Sequence, residues 1–98
     1  MIQLEQKTSP QIAKEIAERV QKRRKERHFT QEQLALRAGM SFASYKRFEQ
    51  KHEIAFDSLI KVAIALDCET DFDSLFSKPH FSSIEELLAS EKKCAKSP

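Results

Sequence analysis

The sequence contains very little glycine and proline: one glycine and three prolines in 98 residues. Because tight turns depend on these residues, we do not expect a β-rich fold with many hairpins. A single glycine, Gly39, also excludes the glycine-rich loops that bind phosphate in nucleotide-binding folds. No apolar run reaches the length of about 18 residues that a membrane-spanning helix needs, so we expect no membrane partner.

Cysteine and histidine are also scarce. Cys68 and Cys94 form no CxxC pair, and His28, His52 and His80 are scattered along the chain. These spacings fit neither a metal site nor a nucleophile with its base, so we expect no metal, no cofactor and no enzyme activity. The N-terminus does not resemble a secretory leader, and we therefore expect reduced thiols in a cytoplasmic protein.

What the sequence does have is helix-forming residues and an uneven distribution of charge. Abundant Ala, Leu, Glu, Gln, Lys and Arg predict one small all-α domain. Residues 1–51 hold 12 Lys or Arg against 6 Asp or Glu, a net charge of +6, whereas residues 52–98 hold 5 against 9, a net charge of −4. The basic half suggests a surface for a polyanion, although charge runs also coat ordinary solvated helices.

The first helix follows a loose arm, residues 1–8, and is capped by Thr8 or Ser9 just before Pro10. Its apolar positions recur every three or four residues: Ile12, Ala13, Ile16, Ala17 and Val20. The helix is predicted to end near Arg27 in a basic turn, which either contacts a polyanion or complements the helix dipole.

Two short helices follow, joined through the single glycine. Thr30 and Gln33 form a capping box at the start of the second helix, and Gly39 ends it. Ser41 then caps a third helix that carries the apolar pair Tyr45 and Phe48. This arrangement is what a helix-turn-helix requires, with the later helix entering the DNA major groove.

The stretch RRKERHFTQEQLALRAGMSFASYKRFEQ resembles the Xre/Cro-type helix-turn-helix family, through a basic end of helix one, Thr-Gln-x-x-Leu-Ala, a turn glycine and a Ser-containing third helix. Downstream, LIKVAIALDC resembles the fourth helix of this family and FDSLF its fifth. The resemblance spans about residues 12–77. It implies a five-helix, lambda-repressor-like domain over residues 9–78.

The same resemblance implies roles for individual residues. Phe42, Ala43 and Arg47 lie where family members contact bases; arginine can bind guanine, and the other two offer apolar contact. The positions expected at phosphates are Gln31, Arg37, Ser41, Ser44 and Lys46. Alternatively, Gln31 is a surface capping residue and Phe42 is buried under the second helix. Arg24 and Glu49 match an ion pair that in this family joins the first helix to the third helix, the one that recognises DNA, so a structural role is implied for both.

The last twenty residues, 79–98, exceed what the DNA-binding domain needs. They predict a short helix after Pro79 and a lysine-containing disordered tail. The helix would present Ile84, Leu87 and Leu88 to the domain itself, to a second copy or to another protein. Together with Leu75 and Phe76 they are the expected dimer or partner contacts.

Within the family, the chain most resembles HipB-like antitoxins, which accompany HipA-type Ser/Thr kinase toxins. The resemblance lies in the third-helix segment SFASYKRFEQ, the fourth helix and the SSIEELL appendix. This resemblance implies a homodimeric repressor that binds a palindromic DNA operator in the bacterial nucleoid and joins a kinase toxin, sometimes with a third small protein. A phage-type or stand-alone regulator, and a protein-interaction adaptor with a vestigial helix-turn-helix, remain the alternatives.

Overall fold

A computed structural model describes residues 6–79 of the chain. Within this range the chain forms four α-helices and a 3-10 helix and contains no strand. The elements are α1 (Ser9–Glu26), α2 (Gln31–Ala38), α3 (Phe42–Lys51), α4 (Phe56–Ala65) and the 3-10 helix (Glu69–Ser74). The predicted all-α, five-helix class is therefore confirmed. The predicted contacts Ile84, Leu87 and Leu88 lie outside the described residues.

The helix starts follow the capping signals in the sequence. Thr8, rather than Ser9, caps α1: its backbone N–H donates to Gln11 Oε1 at 2.8 Å, and its hydroxyl accepts from the Gln11 N–H at 3.3 Å. Thr30 and Gln33 form the equivalent reciprocal pair on α2, at 2.9 and 3.0 Å. These bonds satisfy backbone donors that have no partner within the helix.

The third and fourth helices begin differently. The Ser41 hydroxyl caps α3 by accepting from the Ser44 N–H at 3.0 Å. By contrast, α4 begins after Ala55, which has no side chain able to accept, so no side-chain cap bond forms there. The first turn of α4 instead carries Asp57, whose negative charge suits the positive end of the helix dipole.

Left-handed residues turn the chain between helices. Gly39 adopts φ +72° and ends α2, and its N–H donates to the Leu36 carbonyl at 3.1 Å. His52 ends α3 in the same conformation, with φ +65°. A β-carbon at Gly39 would meet nothing within 4 Å, so only the backbone conformation, and not space, favours glycine there.

The hydrophobic core lies where α1, α2, α3 and α4 meet. Tyr45 and Phe48 of α3 pack with their rings edge to face, 5.9 Å between centroids, and both are buried. Around them lie buried residues of the other helices and of the C-terminal cap of α4: Ala17, Leu34, Ala35, Ala38, Val62 and Leu66. The core therefore fixes α3 through one face and leaves its opposite face in solvent.

The end of the domain differs from the prediction. The sequence predicts a fifth helix on the FDSLF segment, but the structure forms a 3-10 helix earlier, over Glu69–Ser74, and leaves Leu75 in extended backbone. Phe76 follows in a left-handed conformation and is 95% exposed. A segment this short makes too few i to i−4 bonds to sustain an α-helix, and the Asp71 N–H instead bonds to Cys68 O at 3.0 Å.

Candidate nucleic-acid interface

One face of α3 is entirely exposed. Ala43, Lys46, Arg47 and Gln50 follow one another at i, i+3, i+4 and i+7, the spacing that places side chains on a single helix face. All four are exposed, and together with Lys51 they line a shallow surface groove. An α-helix with its side chains is about 10–12 Å in diameter, which fits a major groove about 12 Å wide, and the ten residues of α3 extend for about 15 Å.

The side chains predicted to contact bases are accessible. Phe42 is 44% exposed at the start of α3, so the alternative in which it is buried under α2 is not observed. The Lys46 ammonium lies 5.9 Å from the centroid of the Phe42 ring. Ala43 has a small exposed methyl group next to them. This end of α3 can therefore offer apolar contact and a cation at neighbouring points.

Arg47 is engaged by a carboxylate that lies beyond the end of α3. Its Nε and Nη2 groups donate to Glu53 Oε1, at 3.2 and 2.7 Å. Both side chains remain about two-thirds exposed, at 67% and 65%. The interaction is thus a surface ion pair, of the kind that contributes little to stability.

Three of the residues predicted at phosphates, Gln31, Ser41 and Ser44, lie at the N-termini of α2 and α3. Gln31 is half-buried at the first position of α2, and its side-chain amide donates to Glu49 Oε1 at 2.7 Å. An amide nitrogen carries two hydrogens, so one N–H is left for a second acceptor. The Ser41 hydroxyl donates to the Ser44 hydroxyl at 2.8 Å, and both side chains are exposed.

Arg37 is held on an aromatic ring. Its guanidinium lies 4.6 Å from the centroid of the Phe29 ring, and that of Arg27 lies 5.6 Å from the same ring. Stacking of this kind fixes the direction of a long side chain while its donors stay available. Arg37 itself is exposed at the C-terminal end of α2.

Beneath the exposed face, α3 is tied to α1 and α2 through Glu49. Arg24 donates to both carboxylate oxygens, Nε to Oε2 at 2.7 Å and Nη2 to Oε1 at 3.2 Å, and its Nη1 donates to the Phe29 carbonyl at 2.8 Å. The Tyr45 hydroxyl also donates to Glu49. The structure thus brings Arg24 and Glu49 together as an ion pair, with side chains only 10% and 3% exposed.

This network shifts the pKa values of its members in favour of the ion pair. Burial alone would raise the pKa of Glu49, but hydrogen bonds from Arg24, Tyr45 and Gln31 outweigh burial and hold that pKa below its ordinary value. The hydrogen bond to Glu49 raises the pKa of Arg24. Burial, together with the bond to the carboxylate, raises the pKa of Tyr45. Glu49 is therefore a carboxylate in the folded protein over the neutral pH range.

The basic end of α1 is largely engaged within the protein. Arg24 forms the buried ion pair with Glu49. In addition, Arg23 Nη1 lies 3.0 Å from Glu26 Oε1, and Arg27 Nη1 lies 2.9 Å from Asp67 Oδ2. Arg27 also donates to the Leu66 carbonyl at 3.0 Å, at the end of α4. These contacts favour a structural role for Arg23, Arg24 and Arg27, whereas Lys22 and Lys25 of the same cluster are exposed.

The two described residues predicted for partner contact lie at the end of the domain. Leu75 is 49% exposed, and Phe76 is almost completely exposed. Nearby in sequence, the Phe72 ring packs edge to face on Phe56, with 6.0 Å between centroids. The structure does not bring Leu75 and Phe76 into the hydrophobic core.

The roles of four residues at this site were missed by sequence analysis. Gln50 and Lys51 could have been found, since Gln50 continues the helical spacing of Ala43, Lys46 and Arg47. The Tyr45 hydroxyl was read only as part of an apolar pair. Glu53 gave no signal, because its contact with Arg47 depends on the left-handed turn at His52.

Within residues 6–79, no group of three or more His, Cys, Asp or Glu side chains is placed to hold a metal ion. None of the described helices is long and apolar enough to cross a membrane. Cys68 is a half-buried free thiol whose pKa is raised by burial and by the neighbouring Asp71.

The family model described as helix-turn-helix matches residues 20–72, more than half of the chain. This range contains the C-terminal part of α1 and all of α2, α3 and α4, and it ends within the 3-10 helix. Neither the curated proteins nor the solved structures yielded a significant match.

Proposed function

The chain belongs to the Xre-type helix-turn-helix family of DNA-binding regulators, and from this premise we propose that it is a sequence-specific repressor that reads its operator with α3. The observation that carries the proposal is the division of α3 into two faces. Tyr45 and Phe48 are buried, while Ala43, Lys46 and Arg47 project into solvent from a helix of major-groove size.

In this proposal the exposed side chains divide between bases and phosphates. Arg47 binds a guanine, and Phe42 and Ala43 contact apolar base edges such as thymine methyl groups. A second set contacts the phosphate backbone and positions the domain: Gln31, Arg37, Ser41, Ser44 and Lys46. Gln50 and Lys51, at the C-terminal end of α3, extend this phosphate-binding set. Phosphate contacts make affinity depend on salt, whereas base contacts make it depend on sequence.

We also propose that the protein acts as a homodimer on a palindromic operator. A single domain presents one recognition helix of ten residues and would meet only one half-site. Two copies related by a twofold axis would place their recognition helices about 34 Å apart, or a multiple of that distance. The exposed residues Leu75 and Phe76 are the described part of the proposed dimer or partner contact.

We propose, more specifically, that the protein is an antitoxin. This proposal rests on the resemblance to HipB-like antitoxins and adds a HipA-like Ser/Thr kinase toxin as protein partner, with repression of a shared operon. The test is to co-express the chain with the product of the neighbouring reading frame. A stable complex that relieves growth arrest by a kinase supports the antitoxin role. A neighbour that is not a kinase would leave a phage-type or stand-alone regulator.

Sequence-specific binding is tested by selection from a pool of random DNA duplexes with the full chain, followed by fluorescence anisotropy. The proposal predicts a selected palindrome that is bound at least about a hundredfold more tightly than a shuffled duplex at physiological salt. Equal binding of both duplexes, abolished together by salt, would contradict the proposal and favour an adaptor with a vestigial helix-turn-helix. Arg47→Ala provides the variant that should lose selectivity while it stays folded.

A further inference from the structure

A carboxylate lies inside the proposed DNA-binding face. Glu53 lines the same surface groove as Ala43, Arg47 and Gln50, because the left-handed residue His52 ends α3 and turns the chain so that the Glu53 side chain reaches Arg47. A negative charge at this place opposes the approach of phosphate. Its position therefore calls for an explanation other than affinity for DNA in general.

The geometry of the Arg47–Glu53 contact supplies one. A guanidinium has five N–H donors, four of which form two edges: a side edge formed by Nε and Nη2, and an end edge formed by Nη1 and Nη2. Glu53 Oε1 accepts from Nε at 3.2 Å and from Nη2 at 2.7 Å, so it occupies the side edge. The end edge, with one Nη1 hydrogen and one Nη2 hydrogen, is not engaged by this contact.

The free edge still suits a guanine. Two parallel donors on the guanidinium match the O6 and N7 acceptors that guanine presents in the major groove. A long arginine side chain with 67% exposure would otherwise lose considerable rotamer freedom on binding. A carboxylate that already holds the side edge reduces that loss and sets the plane of the guanidinium.

We propose that Glu53 is a positioning residue for base recognition: it holds the side edge of Arg47 and directs the end edge towards a guanine. The inference rests on the proposed function, since it assumes that α3 binds the major groove. The Glu53 side chain then has two separate effects on DNA binding. Glu53 weakens binding to DNA of any sequence and strengthens the preference for guanine at the position that Arg47 contacts.

The experiment uses the full chain and the palindrome selected by the native protein. Dissociation constants are measured for that duplex and for duplexes in which each guanine is replaced in turn by adenine. Glu53→Ala is expected to reduce discrimination at one guanine by about two- to fivefold, the factor that an exposed ion pair of ordinary strength supplies. The same variant should bind a shuffled duplex more tightly than the native chain does.

Two further variants complete the test. Glu53→Gln keeps an oxygen that accepts from Arg47 and should recover part of the discrimination. Glu15→Ala removes a carboxylate of α1 from another exposed ion pair, in which Glu15 Oε1 lies 2.8 Å from Lys7 Nζ, and should leave discrimination unchanged. Discrimination that is unchanged or increased in Glu53→Ala would overturn the proposal, an increase meaning that Glu53 withholds Arg47 from DNA. If the native chain selects no duplex at all, the proposed function fails instead.

Discussion

The side chain of Gln31 donates to the carboxylate of Glu49, with Nε2 and Oε1 2.7 Å apart, and this bond joins the first residue of α2 to the buried side of α3. Glu49 also receives two hydrogen bonds from Arg24 of α1. One carboxylate thus fixes three helices relative to one another. The proposed phosphate contact of Gln31 and the proposed base contacts of α3 are therefore held in one rigid arrangement.

Removing Glu49 should lower the stability of the fold far more than removing Arg47. Glu49→Ala leaves the guanidinium of Arg24 buried without a carboxylate and should lower the free energy of unfolding by about 3 kcal/mol or more. Arg47→Ala removes only an exposed ion pair and should change the free energy by at most about 0.5 kcal/mol. Urea denaturation measures both, and equal losses in the two variants would contradict the structural role of Glu49.

The Glu49 carboxylate should also make the stability of the fold depend on pH. Because the pKa of Glu49 is lower in the folded protein than its unfolded value of about 4.3, its contribution is fully present above that value. The contribution is lost as the pH falls through the folded pKa. The stability difference between the native protein and Glu49→Gln should therefore be constant from about pH 7 to 5 and decrease below about pH 4. Parallel curves down to pH 2 would contradict this account.

The start of α4 offers a stabilising substitution. Ala55 occupies the N-cap position in extended backbone, φ −67° and ψ 144°, without a side chain that accepts. Ala55→Ser would place a hydroxyl within reach of the Ser58 N–H, as Ser41 does for α3, and should stabilise the protein by about 0.5–1 kcal/mol. Ala55→Val cannot cap and serves as the control. A thermal melt in which serine and valine behave alike would show that this N–H needs no cap.

Replacing Gly39 should lower the stability of the fold through backbone conformation alone. Since a β-carbon there has no close neighbour and φ is +72°, Gly39→Ala should destabilise the protein by about 1 kcal/mol through backbone strain alone. Gly39→Asn should cost less, because asparagine tolerates the left-handed region. Denaturation that ranks alanine as the less damaging substitution would contradict this explanation.

Much of the fold could be predicted from the sequence because the signals are local. The Thr30–Gln33 box, the Gly39 turn and the Ser41 cap each depend on residues within four positions. The bonds of Glu49 to Arg24 and Gln31 span 25 and 18 residues, and only the family resemblance pointed to the first of them. The end of the domain could not be predicted, because FDSLF is too short for its pattern to distinguish an α-helix from a 3-10 helix.

The central claim is that Arg47 on α3 reads a base, while Lys46 beside it contacts phosphate. The most direct measurement is the binding of Arg47→Ala and Lys46→Ala to the selected duplex, to its guanine-substituted forms and over a range of salt concentrations. Arg47→Ala should lose discrimination at one guanine, by about 1–3 kcal/mol. Lys46→Ala should keep that discrimination, weaken binding to all duplexes alike and reduce the salt slope by about 0.9. If Arg47→Ala instead weakens all duplexes equally and discriminates between bases as the native chain does, Arg47 is not a base-reading residue and the account is wrong.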